Sequence, residues 1–383
     1  MADLPALVGR QAELATLGAA LESARAGHGC VAVVEGEAGI GKSALVSVGL
    51  TRAGAGLRVF SAGADEMDGH RPFGVVADAF GMRKGEAGAR GEIATLLDGV
   101  GPAAGDPQEL SFRVAEAALI LVEELDEPSL VIAEDLQWAD PASLVVLHRL
   151  ARRVRQEPCT LVFSARPLPR RPELQRLLSG LAAEAVFINL GPLGQQATAE
   201  MIRSLIGAEP SPDLLASAAK AGGNPLYLRE MVGALADDQL IEISRDGSAC
   251  APQGVRPVGL TATILGRLSF LGAETKELLS LAAVLGARFS VEHLKLLSGL
   301  SAVALGGPLR EALTARVLSE DGDQLVFRHD LIREALYAAI PEGLRASLHR
   351  EAAEAMDRAG SPARKRRDKP AWSRGCKSLT SKE

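Results

Sequence analysis

Cys30–Ser43 reads CVAVVEGEAGIGKS, and the fold turns on how this stretch divides. Its first part, Cys30–Gly36, is a short apolar run without polar alternation, the pattern of a strand buried on both faces. Its second part, Gly36 to Ser43, fits the spacing G-x-x-x-x-G-K-[ST], with a third glycine at Gly39. A helix-forming run, SALVSVGL, follows. Strand, glycine loop and helix in that order build a phosphate cradle. Glycines allow a tight turn at positive φ, backbone N–H groups wrap the oxygens, and the positive end of the helix dipole faces them. The expected cradle is Gly36, Glu37, Ala38, Gly39, Ile40, Gly41, Lys42, Ser43 and Ala44. Lys42 sets a point charge against the β- and γ-phosphates, and the Ser43 hydroxyl can ligate Mg²⁺. The expected ligands are ATP or ADP with Mg²⁺.

Four more apolar runs lie outside this stretch: Leu57–Ala62, Ser129–Asp135, Thr160–Ala165 and Ala185–Leu190. Helical patterns, such as Leu110–Leu125 and Ala142–Val154, separate them. Strand–helix alternation predicts an α/β fold with a parallel, doubly wound sheet flanked by helices over residues 1–192. The strand signal then fades. Residues 193–254 read as a helical lid broken at Gly222–Pro225 (GGNP). Residues 255–345 read as helices at short spacing, then a hairpin over Val317–Asp330 with Asp321-Gly322 at its turn, the order of a winged helix. Residues 346–383 read as the start of a helical region followed by a basic tail with neither periodicity nor apolar content, expected to be disordered.

The 383 residues are enough for two or three domains, and at 47% apolar each can bury a core. Aromatics are 3%, which suits helices and buried parallel strands better than a β-sandwich. The net charge of −6 gives no general case for nucleic acid. Residues 361–383 hold eight Lys/Arg against two Asp/Glu, leaving 34 against 46 in the rest, so an acidic body carries a short basic tail. The cysteines, Cys30, Cys159, Cys250 and Cys376, form no C-x-x-C pair, which points to a reducing compartment. No apolar stretch approaches the roughly 18 residues of a membrane helix, and no signal pattern opens the chain. A cytoplasmic protein is expected, with no membrane partner.

A second chemical site is VIAEDLQWAD. Its apolar run ends in Glu134-Asp135, an acid pair at the end of a strand expected to lie next to the loop, placed to hold the Mg²⁺ shell and polarise water. Asp140 is expected to cap the helix that opens at Pro141.

Taken in order, LVGRQAEL (Leu7–Leu14), GEAGIGKSALV, EDLQWAD, SARP (Ser164–Pro167), GGNPLYLRE (Gly222–Glu230) and FRHDLIREALY (Phe327–Tyr337) resemble the ATPase region of large bacterial LuxR-type transcriptional regulators. Those belong to the signal-transduction ATPases with numerous domains (STAND), a branch of the AAA+ superclass. The resemblance covers about residues 5–357. It implies that Val8, Gly9 and Arg10 lie near the adenine and that Arg166 is the sensor arginine near the γ-phosphate. It further implies that Pro225 packs against the base and that His329 approaches the β-phosphate in the ADP-bound form. With Lys42, Glu134 and Asp135, Arg166 completes the implied catalytic set; Ser43, Glu134 and Asp135 are the implied metal ligands.

Two departures shape the expectation. The family often has two aspartates where this chain has Glu134-Asp135, which predicts slow turnover, as suits a switch. Family members also continue to a C-terminal DNA-binding domain, whereas the helical register of Leu344–Ala359 here gives way to the basic tail, as in a truncated or frame-shifted product. The expected function is an ATP-hydrolysing regulatory switch without that output domain. Direct DNA binding is not expected; a protein partner or a second copy would be met through the C-terminal region expected to be missing. A P-loop kinase or other phosphotransferase, and a nucleotide-binding scaffold without turnover, stay open as alternatives.

Overall fold

The computed structural model describes residues 7–65, 71–81, 88–98, 107–123, 127–167, 171–251 and 258–358. The chain divides into two compact units, Met1–Leu260 and Thr261–Glu383.

Five strands form the central sheet of the first unit: β1 Cys30–Gly36, β2 Arg58–Gly63, β3 Ser129–Glu134, β4 Cys159–Ala165 and β5 Val186–Leu190. These are the apolar runs read from the sequence, displaced by a residue at most. They run in the order β2-β3-β4-β1-β5, with every neighbouring pair parallel. The acid strand β3 is therefore not next to the loop strand β1, as expected above; β4 lies between them and hydrogen-bonds both.

Helices cover both faces. Gly74–Phe80, Ala89–Asp98, Pro107–Glu123, Pro141–Arg153 and Pro172–Leu181 pack over Val31, Val33, Val131, Leu161 and Phe163. Gln11–Arg25 and Lys42–Ala53 pack over Ala32, Val34, Leu130, Ile132 and Val162. Alternate residues of one strand thus enter opposite layers, which is why the central runs carry no polar alternation. The two edge strands depart from this. In β2 only Phe60 and Ala62 are buried, and in β5 only Ile188 and Leu190, because a marginal strand has less cover.

After β5 come helices Gln195–Ile206, Pro212–Ala218 and Pro225–Asp237, the last opening at the GGNP break. A small sheet accompanies them: β6 Glu209–Pro210, β7 Glu242–Ile243 and β8 Ser248–Cys250, in the order β6-β8-β7. Pieces of two or three residues leave no apolar run to read, so the sequence did not predict them.

The second unit holds helices Ala273–Leu285, Val291–Ser298, Ala302–Thr314, Asp330–Ala339 and Glu342–Arg358. Its sheet is antiparallel, β10 Leu318–Asp321 and β11 Gln324–Phe327 forming the expected hairpin, and β9 Arg288–Ser290 adding an unforeseen third strand against β11. Phe289 and Phe327 pack across it with ring centroids 5.8 Å apart. The basic tail, residues 361–383, lies outside the described residues. Among the described residues no helix is long and apolar enough to cross a membrane.

Asp140 caps the Pro141–Arg153 helix as expected, its Oδ1 accepting from Ser143 N at 2.8 Å with Pro141 in the first turn. It also accepts from Phe73 N at 2.8 Å and Gly74 N at 3.1 Å, so one carboxylate holds the starts of two helices. At 3% exposure, no water can replace it. Removing it strands the buried N–H groups of Phe73 and Ser143, while Gly74 N keeps its bond to Arg71 O at 3.0 Å, and Asp140→Ala is expected to lose about 3 kcal/mol of stability. Urea unfolding checks this; a loss under about 0.5 kcal/mol, ordinary for a surface change, would contradict the double-cap account.

Candidate functional site

The loop between β1 and the Lys42–Ala53 helix turns on Gly39 and Gly41, with φ of +74° and +105°. Gly39 serves a second purpose. A Cβ built on it would lie 2.4 Å from Leu226 Cδ2, so a side chain would push away the helix that opens at Pro225. That helix is bound to the loop directly. Asn224 Nδ2 donates to Ala38 O at 3.0 Å, and Leu226 N donates to Gly39 O at 3.3 Å. Asn224 is 1% exposed, and its Oδ1 caps its own helix by accepting from Leu226 N at 3.0 Å. Asn224, and not only the expected Pro225, is thus the residue that joins this segment to the loop, and Asn before Pro is its helix-start signature in the sequence.

Lys42 is buried at the loop's end, and its Nζ donates to Gly36 O and Glu37 O, both at 3.1 Å. Burial pushes its amine below the ordinary lysine value; nearby Asp135 opposes this, Arg166 adds to it, and Glu134 and Glu37 oppose it more weakly. Segments far apart in sequence therefore meet electrostatically at one end of the sheet: the loop after β1, the acid pair after β3 and the arginine after β4. Carboxyl ends of parallel strands are where such folds bind ligands.

Glu134 Oε2 is buried without a hydrogen-bond partner. Asp135 leaves the strand in the left-handed region, at φ +55°, and its N donates to Ser164 Oγ at 3.0 Å. Its Oδ1 accepts from Gln137 Nε2 at 2.8 Å. The guanidinium of Arg166 lies over the Trp138 ring, 5.5 Å from its centroid, while its Nε is buried and unpartnered. Gln137, Trp138 and Ser164 were not singled out from the sequence, because nothing in the residue order says that β4 ends beside the turn after β3.

The donor set suits a magnesium nucleotide. Mg²⁺ is commonly held by one or two carboxylates together with phosphate oxygens and water. Here Ser43 is exposed at the loop, and the Glu134 oxygen is an unanswered acceptor. The Arg166 Nε is an unanswered donor of the kind an anion takes up. Among the described residues no three His, Cys, Asp or Glu gather to hold a metal by themselves.

Of the remaining expected residues, Arg10 is buried, donates to Gly191 O just beyond β5 and pairs with Glu13 at 3.0 Å, so the Val8-Gly9-Arg10 segment is tied to the end of that strand. Pro225 is half-buried in the first turn of its helix. His329 belongs to the second unit, buried immediately before the Asp330–Ala339 helix.

Residues 6–163 match the AAA ATPase domain family. An uncharacterized protein of Rhizobium meliloti strain 1021 is 26% identical over 382 residues, covering 90% of this chain; the chain spans 36% of that relative's length. Among solved structures, the Walker-type ATPase of Pyrococcus abyssi has a TM-score of 0.54 at 13% identity, covering 86% of this chain and 96% of its own. The Aeropyrum pernix ORC1 protein, solved in complex with DNA, has a TM-score of 0.50 at 18% identity, covering 88% of this chain and 94% of its own. At these identities the common property is the fold. Residues 6–163 are thus similar to AAA ATPase domains, and the fold of the first unit is that of a P-loop nucleotide-binding protein.

Lys42 allows a test that separates binding from stability. Its depressed value means the folded protein holds this proton more weakly than the unfolded chain. The parent's stability should therefore rise with pH across the window between the lowered value and 10.5. Lys42→Met is expected to cut ATP affinity at least about tenfold, while stability at neutral pH stays within about 1 kcal/mol of the parent or exceeds it. Calorimetric titration and unfolding at several pH values check both; unchanged ATP affinity would remove Lys42 from the site.

Proposed function

We propose that the first unit is a slow ATPase that works as a nucleotide-driven switch, and that the chain is the ATPase portion of a LuxR-type transcriptional regulator of the STAND kind. One observation carries the reading of the site: the glycine loop, the acid pair and Arg166 follow the carboxyl ends of three neighbouring parallel strands, β1, β3 and β4, which gathers them at one end of the sheet. The regulator assignment rests on the ordered series of motifs from Leu7 to Tyr337.

In this reading the loop N–H groups and Lys42 hold the β- and γ-phosphates. Ser43, Glu134 and Asp135 hold Mg²⁺, which when bound neutralises charge on the phosphate oxygens. The acid pair orients a water and takes its proton as the water oxygen bonds to the γ-phosphorus and the bond to the bridging oxygen breaks, leaving ADP and phosphate. Arg166 faces the charge that builds on the γ-oxygens. Val8, Gly9, Arg10 and Pro225 surround the base, and His329 addresses the β-phosphate in the ADP-bound form; these five roles rest on the resemblance. A longer acid followed by a shorter one displaces the water from its best line, so turnover is slow.

The switch needs a part that answers to the nucleotide, and the Pro225–Asp237 helix is bound to the loop through Ala38 and Gly39. A triphosphate shifts such an equilibrium only through unequal affinity for the two states. The coupled output in the family that the motifs resemble is transcription activation. Residues 255–345 are read as a winged helix used for regulation; Glu292, His293 and Lys295 on Val291–Ser298 make no basic stripe for DNA.

The test is phosphate release and ATP binding measured on the same protein. Glu134→Gln and Asp135→Asn are each expected to lower release at least about tenfold while retaining ATP binding without metal. Tight ATP binding with no release by the parent would leave a nucleotide-binding scaffold in place of the switch, and a release rate indifferent to both substitutions would refute the acid-pair assignment.

A further inference from the structure

Strands β3 and β4 pair in regular register from Ser129–Cys159 to Ala133–Phe163. Past that last rung side chains take over. Asp135 N donates to Ser164 Oγ at 3.0 Å. Gln137, in the turn Leu136–Trp138, then spans the two strand ends: its Nε2 donates to Asp135 Oδ1 at 2.8 Å, and its Oε1 accepts from Arg166 N at 3.0 Å. Gln137 is 4% exposed, so no water substitutes for either bond. Both ends of the amide are used, and the two bonds fix which end is oxygen and which nitrogen.

We propose that Gln137 is a positioning residue for hydrolysis, holding the Asp135 carboxylate and the Arg166 backbone in one register so that acid and arginine meet the γ-phosphate together. The proposal rests on the reading of Asp135 and Arg166 given above. The job requires a neutral group that donates and accepts at once. A carboxylate accepts only, so Gln137→Glu keeps the bond from Arg166 N, loses the donor to Asp135 and sets a like charge beside it. Gln137→Met fills a similar volume and makes neither bond. Asn has the right chemistry but lacks the reach.

Because Gln137 faces the acid and the arginine, its loss should spare the part of affinity owed to the loop and strike what depends on the acid pair. The experiment compares the parent, Gln137→Glu and Gln137→Met as full chains. It measures ATP affinity without metal, ATP affinity with Mg²⁺, and kcat and KM for phosphate release. Metal-free affinity is expected to stay within about twofold, while the Mg²⁺-dependent gain and kcat fall about 10- to 100-fold, with Gln137→Glu the more damaged. Should Gln137→Glu fail to fold, Gln137→Met carries the comparison, with its unfolding midpoint as control. Unchanged kcat and Mg²⁺ gain in a folded variant overturn the proposal. So does a metal-free affinity that drops by the same factor as kcat, since Gln137 would then merely hold the site together. A parent that binds ATP with a Mg²⁺ gain but releases no phosphate refutes hydrolysis and positioning for it alike. A parent that binds no ATP refutes the reading of the whole site, and this proposal with it.

Discussion

Strand β4 is hydrogen-bonded along both edges and buried through all seven of its residues, and it fixes the spacing of everything at the head of the sheet. Neighbouring strands lie about 4.8 Å apart, so placing β4 between β1 and β3 sets the loop and the acid pair roughly 10 Å apart at the backbone. Loop lysine and acid pair can then approach a phosphate chain from two sides. The inserted strand also contributes its own terminus, delivering Ser164 and Arg166 between the two. The geometry comes from backbone pairing, the least adjustable part of the molecule, and the side chains only finish it.

Around that fixed head the structure spends buried polar groups sparingly and uses each more than once. Asp140 starts two helices. Asn224 caps its own helix with one end of its amide and holds the loop with the other. Gln137 joins the ends of two strands. Such groups are costly to leave unpaired in an interior, and full pairing makes them rigid. Glu134 Oε2 and Arg166 Nε break the pattern by standing buried without partners where the chemistry is proposed, as Arg90 Nε and Arg345 Nε do elsewhere.

How much of this could be read beforehand follows from what each feature depends on. The five strands were legible because a strand covered on both faces needs an unbroken apolar run, and the loop was legible because its chemistry fixes the spacing of Gly36, Gly41, Lys42 and Ser43. Asp140 was legible as a cap because Pro141 marks the helix start, but its bonds to Phe73 and Gly74 were not, since they depend on which helix packs beside it. Sheet order was invisible for the same reason: an apolar run does not state its neighbours, so the acid strand was expected beside the loop strand. Gln137 was hidden behind that error, because its role exists only if β3 and β4 are adjacent. The short strands β6 to β9 fall below the length at which a pattern can be distinguished from a loop.

Anchoring the Pro225–Asp237 helix to the loop has a mechanical consequence. Its thirteen residues span about 20 Å, and the tie lies at one extremity. A rotation of about 10° in the loop backbone would sweep the opposite extremity through roughly 3 Å if the helix stays stiff. Under such a rotation the helix would act as a pointer on a hinge, converting a rearrangement the size of a peptide flip into a displacement that a packed neighbour must accommodate. Gly39 is the bearing: bare of a side chain, it lets the pointer sit close enough to be moved.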